Sequence, residues 1–311
     1  MRTINLAFLA VLLALDGILL PSVVAEQPQP ELYSIEEFPV GNGPDNFAFD
    51  GINIWVSNSN DNTVTKLRAS DGEPQGTFPV GNHPQYLAFD GSSIWSANTF
   101  DHTVTKLRAS DGIVLGTFPA EFFPEGIAFD GASIWVAALG GNNLLKLSVS
   151  DGTLELTVPV GQYPRGVAFD GNHIWVANAL DNTVSKVRTD GTVVGTFPVG
   201  AYPANLVFDG HKMWVSNYDD DTLTALRASN GTELGTFNVG NFPQGLAFDG
   251  HNIWVANYGD DTVVRRQART GGKPRRSAVG SGPWGVIFDG SSIWVANLAG
   301  NTVSKITGIS P

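Results

Sequence analysis

The stretch Pro164-Arg165-Gly166-Val167-Ala168-Phe169-Asp170-Gly171, followed by Ile174-Trp175-Val176-Ala177-Asn178 and Asp181-Asn182-Thr183-Val184-Ser185-Lys186, decides the fold. Its short runs are rich in β-branched and aromatic residues, the composition of strands. Between the first two runs stands Asp-Gly, a strong hairpin signal because Gly reaches φ > 0 without steric cost. Phe-Asp-Gly returns at Phe49, Phe89, Phe129, Phe169, Phe208, Phe248 and Phe288. Each time a Trp follows six residues after the Phe, at Trp55, Trp95, Trp135, Trp175, Trp214, Trp254 and Trp294. The period is 40 residues with a single step of 39, and this slot holds seven of the eight Trp. Repetition on that scale marks a solenoid, a propeller or an array.

The second repeat shows how one unit divides. Gln85 to Phe89 is expected as the first strand, Ser93 to Asn98 as the second, Thr103 to Arg108 as the third and Val114 to Pro119 as the fourth. Turns fall at Asp90-Gly91, Phe100-Asp101-His102 and Ser110-Asp111-Gly112. No segment carries a 3.6-residue period over three turns. Four strands in such a unit match a propeller blade, whereas β-solenoid coils are shorter and leave two open ends. The seventh repeat reaches only Thr307-Gly308-Ile309, after its third strand. Ser34-Ile35-Glu36-Glu37-Phe38-Pro39-Val40, ahead of the first repeat, matches the fourth-strand sequence Thr77-Phe78-Pro79-Val80. The expectation is an all-β, single seven-bladed β-propeller of four-stranded blades over residues 33–311. An N-terminal strand completes the last blade and removes an open sheet edge.

The units quoted above resemble YVTN/NHL-type propeller repeats and the repeats of streptogramin B (virginiamycin B) lyase-like propellers, over residues 33–311. The resemblance implies the fold. It implies little about function, because such repeats serve enzymes, surface proteins and binding modules alike.

Charged residues make up 15% of the chain and Gly numbers 36, which suits short buried strands joined by tight turns rather than disorder. The net charge of −12 argues against nucleic acid as a partner. With no Cys, disulfides, thiolate nucleophiles, Cys–zinc sites and iron–sulfur clusters are excluded. Residues 1–25 read as a secretory signal peptide: Arg2, an apolar run from Leu6 to Leu15, and Val23-Val24-Ala25 before a cut. Asp16 and Gly17 interrupt that run, leaving it short of the about 20 residues that span a bilayer. Residues 26–32 form a polar leader. The expected product is a secreted or periplasmic monomer with no membrane span after cleavage and no cofactor.

The loops leading into the blades, on one face together with the turns after the second strands, are where the repeats disagree. Around a shared Pro they read Gly43-Pro44-Asp45, His83-Pro84-Gln85, Phe123-Pro124-Glu125, Tyr163-Pro164-Arg165, Tyr202-Pro203-Ala204, Phe242-Pro243-Gln244 and Gly282-Pro283-Trp284. Aromatic rings and one His before Pro, with acid, base, amide and Trp after it, suit a small molecule, glycan or protein ligand. The candidate binding residues are Asp45, His83, Gln85, Phe123, Glu125, Tyr163, Arg165, Tyr202, Phe242, Gln244 and Trp284. The recurring Trp and Phe are core, and Asn58, Asn98, Asn178, Asn217, Asn257 and Asn297 are expected to bond turn backbone. Gly280-Ser281-Gly282-Pro283-Trp284-Gly285 fits G-x-G-x-x-G, but a strand follows it, so no helix N-terminus awaits a pyrophosphate.

A binding or interaction module is the leading reading, with no catalytic residue assigned. A lyase or hydrolase is the alternative, with His83 or His102 and Glu125 or Asp45 in acid–base roles. The resemblance adds a divalent metal to that picture. A structural cell-surface protein is the third reading. Asp219-Asp220-Asp221 and Asp260-Asp261 are exposed turn acids or oxygen ligands for a cation. Arg265, Arg266, Arg269, Lys273, Arg275 and Arg276 are expected near the outer rim of the sixth blade, as a charge-guarded edge or a docking patch.

Overall fold

The computed structural model describes residues 33–309, so the expected signal peptide and the polar leader lie outside the described residues. Within them stand seven four-stranded antiparallel sheets. Blade one comprises Pro44–Phe49, Asn53–Asn58, Thr63–Arg68 and Pro74–Pro79, and the others follow in chain order. The first strands touch one another in a closed circle, blade seven returning to blade one, and the fourth strands form the exposed rim. The last blade is completed from the N-terminus. Ser34–Pro39 pairs antiparallel with Thr302–Thr307, in register from Ser34↔Thr307 to Pro39↔Thr302. This strand is one residue shorter than expected, because the Val40 N–H turns to the Asn301 carbonyl. Gly280–Gly282 leads directly into the strand Pro283–Phe288, so the G-x-G-x-x-G stretch runs into a strand and not a helix, as its sequence implied. No helix among the described residues is long and apolar enough to cross a membrane.

One side-chain circuit repeats around the ring. All seven Trp are at most 1% exposed. Each Nε1–H donates to one oxygen of its Phe-Asp-Gly Asp at 2.7–2.8 Å. The other oxygen takes two backbone N–H groups of the turn, as Asp90 does from Ser92 and Ser93. The Asp is therefore the anchor of the Trp as well as a turn residue. A third-strand Lys lies over the ring, 4.9 Å away for Lys66 and Trp55. Its Nζ donates across to the next blade, Lys66 to the Ala109 carbonyl at 2.8 Å and Lys305 to that of Ala69 at 2.8 Å. Blade five has Ala225 in that slot, and Lys212 from the neighbouring strand makes the reach to Ala268 instead. The apolar core likewise bridges blades: Trp294 and Val303 of blade seven pack with Ile54, Val56 and Leu67 of blade one.

Asp90→Ala is expected to destabilise the ring by about 1–3 kcal/mol, the penalty for leaving buried donors unpaired, measured by denaturant unfolding. Burial works against charge on Asp50, Asp90 and Asp249, but the Trp, side-chain and backbone N–H bonds outweigh it and hold them below the usual carboxylate range. Their stabilisation is present above that range and lost as pH falls through the folded-state values. The acid limb of a stability–pH curve should therefore flatten in the Asp90→Ala protein.

Two expectations are corrected. The recurring Asn side chains bond mainly to third-strand hydroxyls, Asn58 Nδ2 donating to Thr63 and Thr65 at 3.0 and 2.8 Å. Only Asn178 and Asn257 also accept from backbone, at Gly161 and Gly240. In the basic cluster, Arg266 occupies the core slot that Leu67, Leu107 and Leu147 fill elsewhere. It is buried, donating to the Gly271, Gly272 and Asn238 carbonyls. Arg276 bonds the Val239 carbonyl and Asp260.

Candidate functional site

The residue before Pro in each leading loop has a positive φ, including His83, Phe123, Tyr163, Tyr202 and Phe242 at 52–58°. A bulky residue there is strained. Each is held by a bond from its own N–H to a side chain of the preceding blade. The acceptors are Asn62 for His83 at 2.9 Å, His102 Nδ1 for Phe123 at 3.1 Å, Asn142 for Tyr163 at 3.0 Å, Asn182 for Tyr202 at 2.9 Å and Asp221 for Phe242 at 2.8 Å. His102 is thus a loop staple in a slot that Asn or Asp fills elsewhere, and it does not line the cavity below. The acidic turns serve the same end: Asp261 accepts from Gly282 N, Asp220 from Ala201 N and Asp260 from Asn241 N.

These loops surround one cavity of about 720 Å³. His83, Phe123, Tyr163 and Tyr202 reach it from the slot before Pro, and Gln85, Glu125, Arg165, Gln244 and Trp284 from the slot after. Of the expected residues, Asp45 and Phe242 do not line it. Asp45 is buried, at 2% exposure. Phe242 stacks on Tyr218, ring centroids 4.9 Å apart, and Tyr218 is the lining residue. The turns after the second strands add Thr99, Phe100, Leu139, Gly140, Tyr218 and Asp219, which the loop reading left out. The signal for them was present, since the pair after the recurring Asn varies as much as the leading loops do: Ser59-Asn60, Thr99-Phe100, Leu139-Gly140, Tyr218-Asp219. His83 lies flat on Phe100, 4.3 Å between centroids, and burial lowers its imidazole pKa.

Beneath the rings lies a buried ion pair. Arg165 Nε and Nη2 both donate to Glu125 Oε1, at 2.7 and 2.6 Å, with the two residues 7% and 3% exposed. They meet because each begins a first strand, and the first strands crowd the ring axis. A Cβ on Gly126 would run into the Arg165 carbonyl oxygen, so glycine permits that approach. Burial alone would favour neutral Arg165, but the Glu125 charge outweighs it and raises its pKa further. Asp45 Oδ1 is buried without a partner. Burial, then the Glu125 charge, push the Asp45 carboxyl up to about 8, against the pull of Arg165 and Trp284. That push favours the neutral form of Asp45, behind a cavity wall that carries the Glu125–Arg165 charge pair.

This donor set does not fit the divalent metal that the resemblance implied. Arg165 holds the Glu125 carboxylate, Asp45 does not line the cavity, and no three His, Asp or Glu side chains converge as ligands among the described residues.

No family profile matches the chain, and no curated protein matches it. Solved structures do. A catalytically inactive histidine-to-alanine variant of virginiamycin B lyase from Staphylococcus aureus, with quinupristin, is 17% identical with a TM-score of 0.77, over 88% of this chain and 99% of that one. A streptogramin B lyase is 19% identical with a TM-score of 0.75, over 88% and 97%. Kuenenia stuttgartiensis hydrazine synthase is 18% identical with a TM-score of 0.76, over 85% and 95%. At these identities the likeness establishes the seven-bladed propeller and carries no activity with it.

Proposed function

We propose that the chain is an exported binding propeller that takes a planar or ring-bearing group of a small molecule, glycan or protein segment into the cavity of the leading-loop face. One observation carries this reading: nine side chains from a single pair of sequence slots line one cavity, with aromatic walls over a buried Glu125–Arg165 pair. Its size falls within the range of small-ligand sites. A ring stacks on Tyr163, Tyr202 or Trp284, and polar groups at its end meet Gln85, Glu125, Arg165 and Gln244. Export rests on the signal-like pattern of residues 1–25. Thermal melts against panels of glycans, peptides and aromatic small molecules test the reading. A ligand at 100 times its Kd adds about 2.7 kcal/mol. Trp284→Ala combined with Tyr163→Ala is expected to abolish the shift, and a shift that survives both changes places the ligand elsewhere.

A second reading, a lyase, is favoured by His83 on the cavity wall beside Glu125 and by the lyases among the structural neighbours. Turnover of quinupristin that is lost in His83→Ala would put it first. No turnover removes its main support.

A further inference from the structure

On the opposite face, blade six departs from its sisters in a concerted way. Residues 265–276 contain six of the 18 Lys and Arg, in a chain of net charge −12. Where blade one reads Asp71-Gly72-Glu73-Pro74 after its third strand, blade six reads Thr270-Gly271-Gly272-Lys273, so both acids are gone. Its fourth strand has only four residues, Arg275–Ala278, and the ladder ends at Arg265↔Arg275, one pair earlier than the Leu67↔Pro74 pairing of blade one. The shortened strand and the two glycines leave a cavity of about 690 Å³, lined by His251, Arg265, Lys273 and Arg275 with Asn252 and Gln267. None of its lining residues lines the leading-loop cavity.

The cations there are uncompensated. No carboxylate lines the cavity, and among the described residues only Arg276, outside it, forms an ion pair within the cluster. Asp249 is already committed, accepting from Trp254, His251 N and Asn252. Arg265 is held in place over Trp254 and Tyr33, 5.8 and 5.2 Å from the ring centroids, so its guanidinium is ordered without an acid. His251, Lys273 and Arg275 are exposed and reach the cavity from the Asp-Gly turn, the loop after the third strand and the start of the fourth strand. Guanidinium forks and ammonium groups converging without an acid suit phosphate or sulfate oxygens. The space is far larger than a single tetrahedral anion needs.

We propose that this cavity of blade six binds a small organic polyoxyanion carrying two or more phosphate or sulfate groups. Titration calorimetry of the full chain with inositol hexakisphosphate, pyrophosphate and a polysulfated disaccharide, at low and physiological salt, tests it. Saturable binding that tightens as salt falls is expected, and the order of the three probes identifies the phosphate or sulfate source. Lys273→Ala with Arg275→Ala should weaken binding at least tenfold, while Arg269→Ala, an exposed cation outside the cavity, should change it less than twofold. Melting curves confirm that both variants are folded. Absence of saturable binding, or equal losses in the two variants, overturns the assignment, the latter by showing attraction to the basic surface at large.

Discussion

A chain that begins at Gly41, and so lacks residues 26–40, is expected to be largely unfolded at 37 °C, whereas one that begins at Glu26 melts as a single cooperative unit. The lost segment is the whole fourth strand of blade seven, six ladder pairs long. Its side chains also serve three blades. Phe38 packs on Trp294 of its own blade at 5.7 Å and on Gly72 of blade one. Tyr33 lies edge-on to Trp254 of blade six at 5.7 Å, where Ser277 stands in the slot that Phe78 and Phe118 fill elsewhere. Ile35 and Val40 complete the two clusters. Partial burial of four such side chains contributes about 4–8 kcal/mol, against a total stability of about 5–15 kcal/mol for a typical protein. Truncation also leaves Thr302–Thr307 as a bare edge at the one seam of the ring. A synthetic peptide of residues 33–41 added in trans should restore the melting transition by adding back the missing strand. Equal denaturation midpoints for the two chains would show that the clasp contributes nothing.

That clasp could be seen in the sequence because a repeat reports its own omissions: a missing fourth strand at one end and a spare one at the other. The strand bounds were legible for the same reason, since Asp-Gly and Pro punctuate every unit. What escaped was what side chains do once the blade is folded, within it and across to the next. Asp90 reads as a turn residue until Trp95 is seen to bond it. His102 reads as an acid–base candidate until its Nδ1 is seen to take the Phe123 N–H. Lys212 is one strand away from the slot that it replaces. The last two contacts join residues 21 and 56 positions apart and have no local pattern to betray them. The cavity walls were half legible: variable slots before and after Pro gave nine lining residues, but the equally variable pair at Tyr218-Asp219 was needed to close it. Burial of Asp45, the main cause that raises its carboxyl pKa, follows from ring geometry rather than from any local pattern.

The Glu125–Arg165 pair separates the needs of the ring from those of the ligand. Arg165→Leu alone is expected to cost about 3–5 kcal/mol, because it leaves Glu125 as a buried, unpaired charge. It also removes the cation that opposes the upward push on Asp45. Glu125→Leu should cost a similar amount by stranding Arg165. The double variant Glu125→Leu/Arg165→Leu buries no charge at this point, and its stability should return to within about 1 kcal/mol of the parent, since a buried pair replaced by apolar residues is often neutral. Unfolding in denaturant of the four proteins forms a double-mutant cycle with a large coupling term. If the pair existed to hold the ring together, the double variant would remain as unstable as the singles. If it exists to meet a ligand, the double variant should fold normally and show no ligand-induced melting shift. Normal stability together with lost binding is the expected combination. The physical reason is that an ion pair with this desolvation burden adds little to stability over an apolar pair, yet among the described residues it is the only ion pair that lines the cavity.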